Sequence, residues 1–309
     1  MIQCSGLTWR NIKRIGLFDS GVGGLSVLRS LVSRLEYSGE KEFVYIGDTL
    51  RCPYGNRPDR QITSYVKQLT SWLLQHNIDA IIMACNTSTA AGKEQLVSYA
   101  PVPVLDLIDP TAALIAQRGI KKVGVLATAA TARKKAFSNI IKSIDTSIQV
   151  TEIGCPLLVP VVEAGLGDAH EAQEALKPYV KELIDQEVEA IVYGCTHYPF
   201  LDAALKNVLA GMGNYPALII DPADCLATSI SGKSTGALSV QPDAYLSTKF
   251  ATTGDAETFG RVASRCLKQN VGQVQSVSLN ELTAAFVLRR LQKPAMSAPL
   301  QLIAPEAVS

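Results

Sequence analysis

The sequence predicts an α/β protein of two similar domains, each a parallel sheet flanked by helices, with the candidate site in the cleft between them. Short, fully apolar runs alternate with longer amphipathic segments along most of the 309 residues, the pattern of strands buried on both faces by crossover helices. The alternation comes as two series of similar order and spacing. Each series also contains nearly the same segment: Asp79-Ala80-Ile81-Ile82-Met83-Ala84-Cys85-Asn86-Thr87 is echoed by Glu189-Ala190-Ile191-Val192-Tyr193-Gly194-Cys195-Thr196-His197.

In the first series the apolar runs at 14–18, 43–47, 80–83 and 102–105 read as strands, with helices at 25–35, 58–76 and 89–99. In the second, strands are expected at 123–127, 148–153, 190–193 and 217–220, and helices at 131–144, 170–184 and 200–209. Asp109-Pro110 follows the first series and Asp221-Pro222 the second. A residue before proline is biased toward extended backbone, as at a linker. The expected division is therefore residues 1–109 plus 222–309 as a discontinuous first domain, and 110–221 as the second. Residues 229–236 read as a loop, and 294–309, rich in Pro, Ala and Ser, as a weakly ordered tail.

Hydrophobic residues make up 47% and charged residues 18%, a globular rather than a disordered composition. Lys+Arg 29 against Asp+Glu 28 leaves no basic excess, so no nucleic-acid or membrane-surface partner is expected. No apolar run approaches the roughly 18 residues of a membrane span. Met1 to Arg14 lacks the apolar core of a secretory signal. The seven cysteines are odd in number and none are spaced Cys-x-x-Cys. That fits free thiols in a reducing cytoplasm better than a disulfide framework.

Ligands of parallel sheets bind beyond the carboxyl ends of the strands, where the polar residues here collect. The first strand runs into Asp19-Ser20-Gly21-Val22-Gly23-Gly24, the second into Asp48-Thr49, the third into Cys85-Asn86-Thr87; Thr128 and Cys195-Thr196-His197 end two strands of the second series. Cys85 and Cys195 stand 110 residues apart in matched contexts. A thiol, with a pKa of about 8.5, serves as acid or base near neutrality. Two thiols around one ligand suit a proton leaving one face of a carbon and returning to the other. The plain alternative is a pair of inert core cysteines. His197 is either an acid/base or thiolate partner or a histidine satisfying its own loop. Asp19 either orients a thiol, binds a substrate ammonium, or caps the helix that follows.

The glycines after Asp19 miss the dinucleotide fingerprint, because Ser26 stands where its last glycine belongs. They are expected to let backbone N–H groups approach a small carboxylate. Gly232-Lys233-Ser234 imitates the end of a phosphate loop, but Ala227 occupies the required first glycine. Zinc on Cys85, Cys195 and His197 is chemically conceivable, but nothing in their spacing asks for it, and no metal is expected.

With these motifs together, the chain resembles the glutamate racemases of the cofactor-independent aspartate/glutamate racemase family. The matching segments are Phe18 to Leu25, Gly47-Asp48-Thr49 with Pro53-Tyr54-Gly55, Ala84 to Thr87, Cys155 to Pro160 with Glu163, and Gly194-Cys195-Thr196-His197-Tyr198-Pro199. The Cys-Thr-His-Tyr-Pro run is similar to the glutamate rather than the aspartate enzymes. The resemblance implies a cytoplasmic isomerase without cofactor that supplies D-glutamate for peptidoglycan. It implies Cys195 as the base toward L-glutamate and Cys85 as the acid on the other face, with Asp19 beside Cys85 and His197 beside Cys195. Substrate contacts would fall on Asp19, Ser20, Tyr54, Gly55, Asn86, Thr87, Thr196 and His197, while Asp48 and Glu163 match further acidic positions. It also implies a homodimer and, as in some relatives, an interaction with DNA gyrase. Two departures stand out. Ala130-Thr131 replaces a usual Gly-Thr pair, and Cys52 stands where an aliphatic residue is common.

Overall fold

The computed structural model describes residues 12–34, 41–213, 215–231, 245 and 247–292. The phosphate-loop imitation at 232–234, most of the expected loop at 229–236, and the 294–309 tail lie outside the described residues.

The chain runs β1 (Arg14–Asp19), α1 (Leu25–Arg34), β2 (Glu42–Gly47), α2 (Asp59–Leu74), β3 (Ala80–Met83), α3 (Asn86–Tyr99) and β4 (Val104–Leu105). It continues through α4 (Ile108–Gln117), β5 (Lys122–Ala127), α5 (Ala129–Arg133), α6 (Ala136–Ile144), β6 (Gln149–Gly154), α7 (Leu158–Glu163), α8 (His170–Asp185), β7 (Ala190–Gly194), α9 (Asp202–Gly211) and β8 (Leu218–Ile220). Then come α10 (Pro222–Ser231), β9 (Thr248–Thr252), α11 (Ala256–Leu267), β10 (Val274–Ser276) and α12 (Leu279–Gln292).

The strands form two sheets, ordered β10-β9-β2-β1-β3-β4 and β6-β5-β7-β8. Among the described residues every pairing is parallel. Successive side chains point to opposite faces of a strand, which explains the continuous apolar runs. Ile15 and Leu17 of β1 pack in the core shared with α1, α10 and α11. Their neighbour Phe18 packs on the other side with Leu69 and Leu73 of α2. The second sheet repeats the plan: Val123, Val125 and Ala127 face α4 and α6, whereas Leu126 faces α7, α8 and α9. Each such buried Ile, Leu, Val or Phe side chain stabilises the fold by about 1.5–3 kcal/mol relative to exposure. A charge at Leu17 would remove that gain and bury an unpaired ion.

Both Asp-Pro pairs open helices instead of forming extended linkers. Pro110 lies in the first turn of α4 and Pro222 begins α10, places where the missing N–H of proline costs no helical bond. The strand expected at 102–105 shortens to two residues. The helix expected at 131–144 is two, because Lys135 adopts the left-handed conformation (φ 51°) between α5 and α6. After α10, which packs against both α1 and α4, the chain returns to the first sheet and adds β9 and β10.

Each sheet has a switch point where the connections leave in opposite directions, between β1 and β3 in the first and between β5 and β7 in the second. Such switch points open a crevice at the strands' carboxyl ends. Asp19 ends β1 and Cys85 follows β3; Thr128 follows β5 and Cys195 follows β7. The two crevices, one from each lobe, meet.

Candidate active site

Cys85 and Cys195 line one pocket, together with Ser20, Tyr54, Gly55, Asn86, Thr87, Thr128, Val159, Thr196 and His197. Both thiols are buried. Among the predicted site residues only Asp19 stays behind the pocket wall, held there by its hydrogen bonds. The pocket is tight, with about 10 Å³ of room, barely enough for a single water. A larger cavity of about 580 Å³ opens elsewhere on the seam, between Arg29, Asp168, Lys206 and Arg265, and reaches neither thiol.

On the first lobe, Cys85 is the residue before the first turn of α3 (φ −124°, ψ 111°), so its sulfur sits at the positive end of a helix dipole. Its S–H donates to Ser20 Oγ at 3.7 Å. Burial, reinforced by the charge of Asp19, pushes the thiol up to about 11 against hydrogen bonds from Ser88. Asp19 accepts from the Gly21 N–H at 2.7 Å and from Thr196 Oγ1 at 3.0 Å. Burial raises this carboxyl above its usual range against the opposing charge of His197. Asn86 is buried, and neither amide atom has a partner among the described residues. At the lip of a pocket, such an orphaned amide is a group shaped for a ligand.

On the second lobe, Cys195 Sγ lies 3.6 Å from His197 Nδ1, and His197 Nε2 lies 2.6 Å from Glu163 Oε1. Burial disfavours the imidazolium, but the hydrogen bonds to Cys195 and Glu163 outweigh it and hold His197 well above its usual range. Burial likewise works to raise Glu163, and the His197 hydrogen bond overcomes it, keeping that carboxyl below its usual range. The pair is thus an ionised couple that places positive charge beside Cys195.

Polar bonds join the lobes around the thiols. Beyond Thr196 to Asp19, Ser26 Oγ donates to the Thr196 carbonyl at 3.0 Å, the Val22 N–H to Glu163 Oε1 at 3.3 Å, and Thr87 Oγ1 meets Thr128 Oγ1 at 2.9 Å. The glycines after Asp19 serve this closure. A Cβ on Gly23 would lie 2.6 Å from Thr196 Oγ1 and collide with His197. These glycines also have a packing role: Gly21 spends its N–H on Asp19, and Gly23 makes room for the opposite loop.

The family model for Asp/Glu/hydantoin racemases matches residues 15–230. The chain belongs to this family. A glutamate racemase of Trichodesmium erythraeum is 40% identical over 71% of this chain and 78% of its own length. Among solved structures, a glutamate racemase isoform of Bacillus anthracis superposes with a TM-score of 0.75 at 32% identity, covering 86% of this chain and 98% of its own. The glutamate racemase of Francisella tularensis, solved with D-glutamate, gives 0.74 at 27% identity over 87% and 98%.

Within this Asp/Glu/hydantoin racemase the two further acidic positions part company. Asp48 accepts from Tyr54 Oη, from Arg51 Nε at 2.7 Å and from Thr253 Oγ1 at 2.8 Å, so it anchors the Tyr54 loop and leaves the pocket to others. Glu163 is the partner of His197. Thr131 stands behind the pocket wall, with Thr128 Oγ1 at 2.9 Å and Thr87 Oγ1 at 3.4 Å. Thr128, one of the strand-end polar residues, lines the pocket; Ser88, which hydrogen-bonds Cys85, has a hydroxyl in a helix's first turn as its only signal in the sequence. Among the described residues, the ligand atoms close enough for one metal ion belong to Cys52, Glu163 and His197, a different trio from the one weighed from spacing.

Proposed function

We propose that the protein interconverts L- and D-glutamate by two-base proton transfer at the α-carbon. The supporting observation is the placing of one thiol at the switch point of each sheet, both lining one pocket. Cys195, beside the cationic His197, takes the α-proton of L-glutamate. Cys85, which its surroundings keep as a thiol at neutral pH, returns a proton to the opposite face. The roles exchange for D-glutamate. Asp19 and His197 set the charge around the two sulfurs. Ser20, Asn86, Thr87, Thr196 and the Tyr54-Gly55 turn supply donors to the substrate's carboxylates and carbanion, in a site where few waters compete. Glutamate needs far more than the room of one water, so the lobes separate to admit it and close over it.

This reading takes residues 110–221 as the moving domain against 1–109 plus 222–309. It places the enzyme in the cytoplasm as a homodimer supplying D-glutamate for peptidoglycan. Sedimentation analysis checks the dimer, and a supercoiling assay checks whether DNA gyrase is a second partner, an idea resting on resemblance alone.

The deciding experiment is deuterium incorporation at the α-carbon in D2O, starting from each enantiomer. Two-base transfer puts solvent deuterium into the product enantiomer, and Cys85→Ala and Cys195→Ala each abolish racemisation. Full racemisation by either variant would overturn the assignment, and faster turnover of aspartate than glutamate would overturn the substrate.

A further inference from the structure

Cys52, Glu163 and His197 form a second constellation on the seam, on the far side of the imidazole from Cys195. Glu163 Oε1 lies 2.6 Å from His197 Nε2 and 3.8 Å from Cys52 Sγ, and all three ligand atoms lie within 4.8 Å of one another. We propose that this trio binds a thiophilic divalent cation, Zn2+ by its donor chemistry, which clamps the lobes together and stops turnover.

One sulfur, one imidazole nitrogen and one carboxylate oxygen are a zinc donor set with a fourth position left for water. Around a tetrahedral zinc with bonds of about 2.0–2.3 Å, ligand atoms stand about 3.3–3.7 Å apart. The Cys52–Glu163 separation is already near that value. The Glu163–His197 separation opens by about 1 Å once a metal replaces the proton between them. Gly21 leaves the space, since a Cβ there would lie 3.2 Å from Cys52 Sγ and run into Glu163. Access is from the Glu163 side, whose side chain is 28% exposed.

The placement across the seam gives the ion its effect. Cys52 belongs to the segment after β2 in the first lobe, while Glu163 ends α7 and His197 follows β7 in the second. One ion on all three ties together lobes that must part for substrate, and it takes the Nε2 lone pair while Nδ1 still faces Cys195. Binding releases two protons, one from the Cys52 thiol and one from the His197 imidazolium, with Glu163 already anionic. Because binding releases these protons, occupancy rises with pH. The binding claim stands on these three side chains alone; only the loss of turnover rests on the racemase reading.

The test uses the full-length, metal-free protein with reduced thiols, titrated with Co2+ and then Zn2+. One Co2+ per chain should give a thiolate-to-cobalt charge-transfer band that Zn2+ removes. The band should vanish in Cys52→Ala and persist in the Cys85→Ala/Cys195→Ala double variant. In glutamate racemisation, Cys52→Ala should match the wild type without metal and need at least about tenfold more Zn2+ for half-inhibition. A band that survives in Cys52→Ala, or disappears in the double variant, overturns the site; both results together assign the metal to the reacting thiols. A band with the expected pattern in a metal-free enzyme that does not racemise glutamate leaves the site standing and overturns the function instead.

Discussion

Gly23 and His197 come from opposite lobes and meet so closely that the α-carbon of one has room for no side chain beside the imidazole of the other. The position of His197, and through it the charge beside Cys195, therefore depends on a missing methyl group 174 residues earlier. Gly23→Ala should push the imidazole off Cys195. A displacement of about 1 Å in a reacting constellation costs about 100-fold in rate. The expected result is a loss of that order in kcat/KM, with an overpacking penalty of about 1–3 kcal/mol visible in thermal denaturation. Wild-type kcat/KM in this variant would show that His197 does not need its observed position.

Asn86 offers the opposite case, a residue whose removal should spare the fold. Its amide has no partner among the described residues, so Asn86→Ala breaks none of the hydrogen bonds seen there and should leave the melting temperature unchanged or slightly raised. A hydrogen bond to a charged group contributes about 1.5–3 kcal/mol. Loss of one to a substrate carboxylate should then lower kcat/KM about 10- to 100-fold. Steady-state kinetics beside a melting curve checks both halves.

The Glu163–His197 couple carries a pH signature. His197 is held above its usual range, so its contribution to stability is complete below the unfolded value of about 6.5 and is lost as pH rises through the folded value. Glu163 is held below its range, so its contribution is complete above about 4.5 and is lost as pH falls through the folded value. The melting-temperature gap between wild type and Glu163→Gln should accordingly be widest between about pH 4.5 and 6.5 and narrow on both sides. A gap that does not vary with pH would mean the couple is not ionised.

Asp19→Asn tests the electrostatics of the other thiol. The Asp19 charge adds to burial in pushing Cys85 up to about 11, so neutralising it should make the thiolate easier to form. The pH midpoint of alkylation at Cys85, followed by peptide mass spectrometry, should fall below that of the wild type. An upward or absent movement would exclude Asp19 as a charge acting on Cys85.

Much of this arrangement was legible because period and polarity agreed along the chain. The apolar runs at 14–18, 43–47, 80–83, 123–127 and 190–193 each carry an uninterrupted core strand with polar groups massed at one end, so the cleft residues announce themselves. β9 escaped notice because Thr248-Lys249-Phe250-Ala251-Thr252 holds only two adjacent apolar residues and takes its definition from β2 beside it. β10 has only three residues, mostly exposed. The break at Lys135 has no glycine or proline to mark it. The carboxylate of Glu163 is brought to His197 by tertiary packing over 34 residues, and no local pattern encodes that distance. Legible signals were those written within one element; the side-chain contacts between elements were not.

The two thiols are not equivalent: one has a carboxylate and helix terminus for company, the other an imidazolium. That inequality has no influence on which enantiomer accumulates. Mirror-image substrates have equal free energy in solution, so kcat/KM, which compares free enzyme and substrate with the transition state, must be identical in the two directions for the wild type and for every variant. Between the two directions, unequal sulfurs can alter only how that shared value divides into kcat and KM. The asymmetry of the cleft is therefore invisible at equilibrium and appears as saturation: one enantiomer fills the enzyme at a lower concentration and is turned over proportionately more slowly.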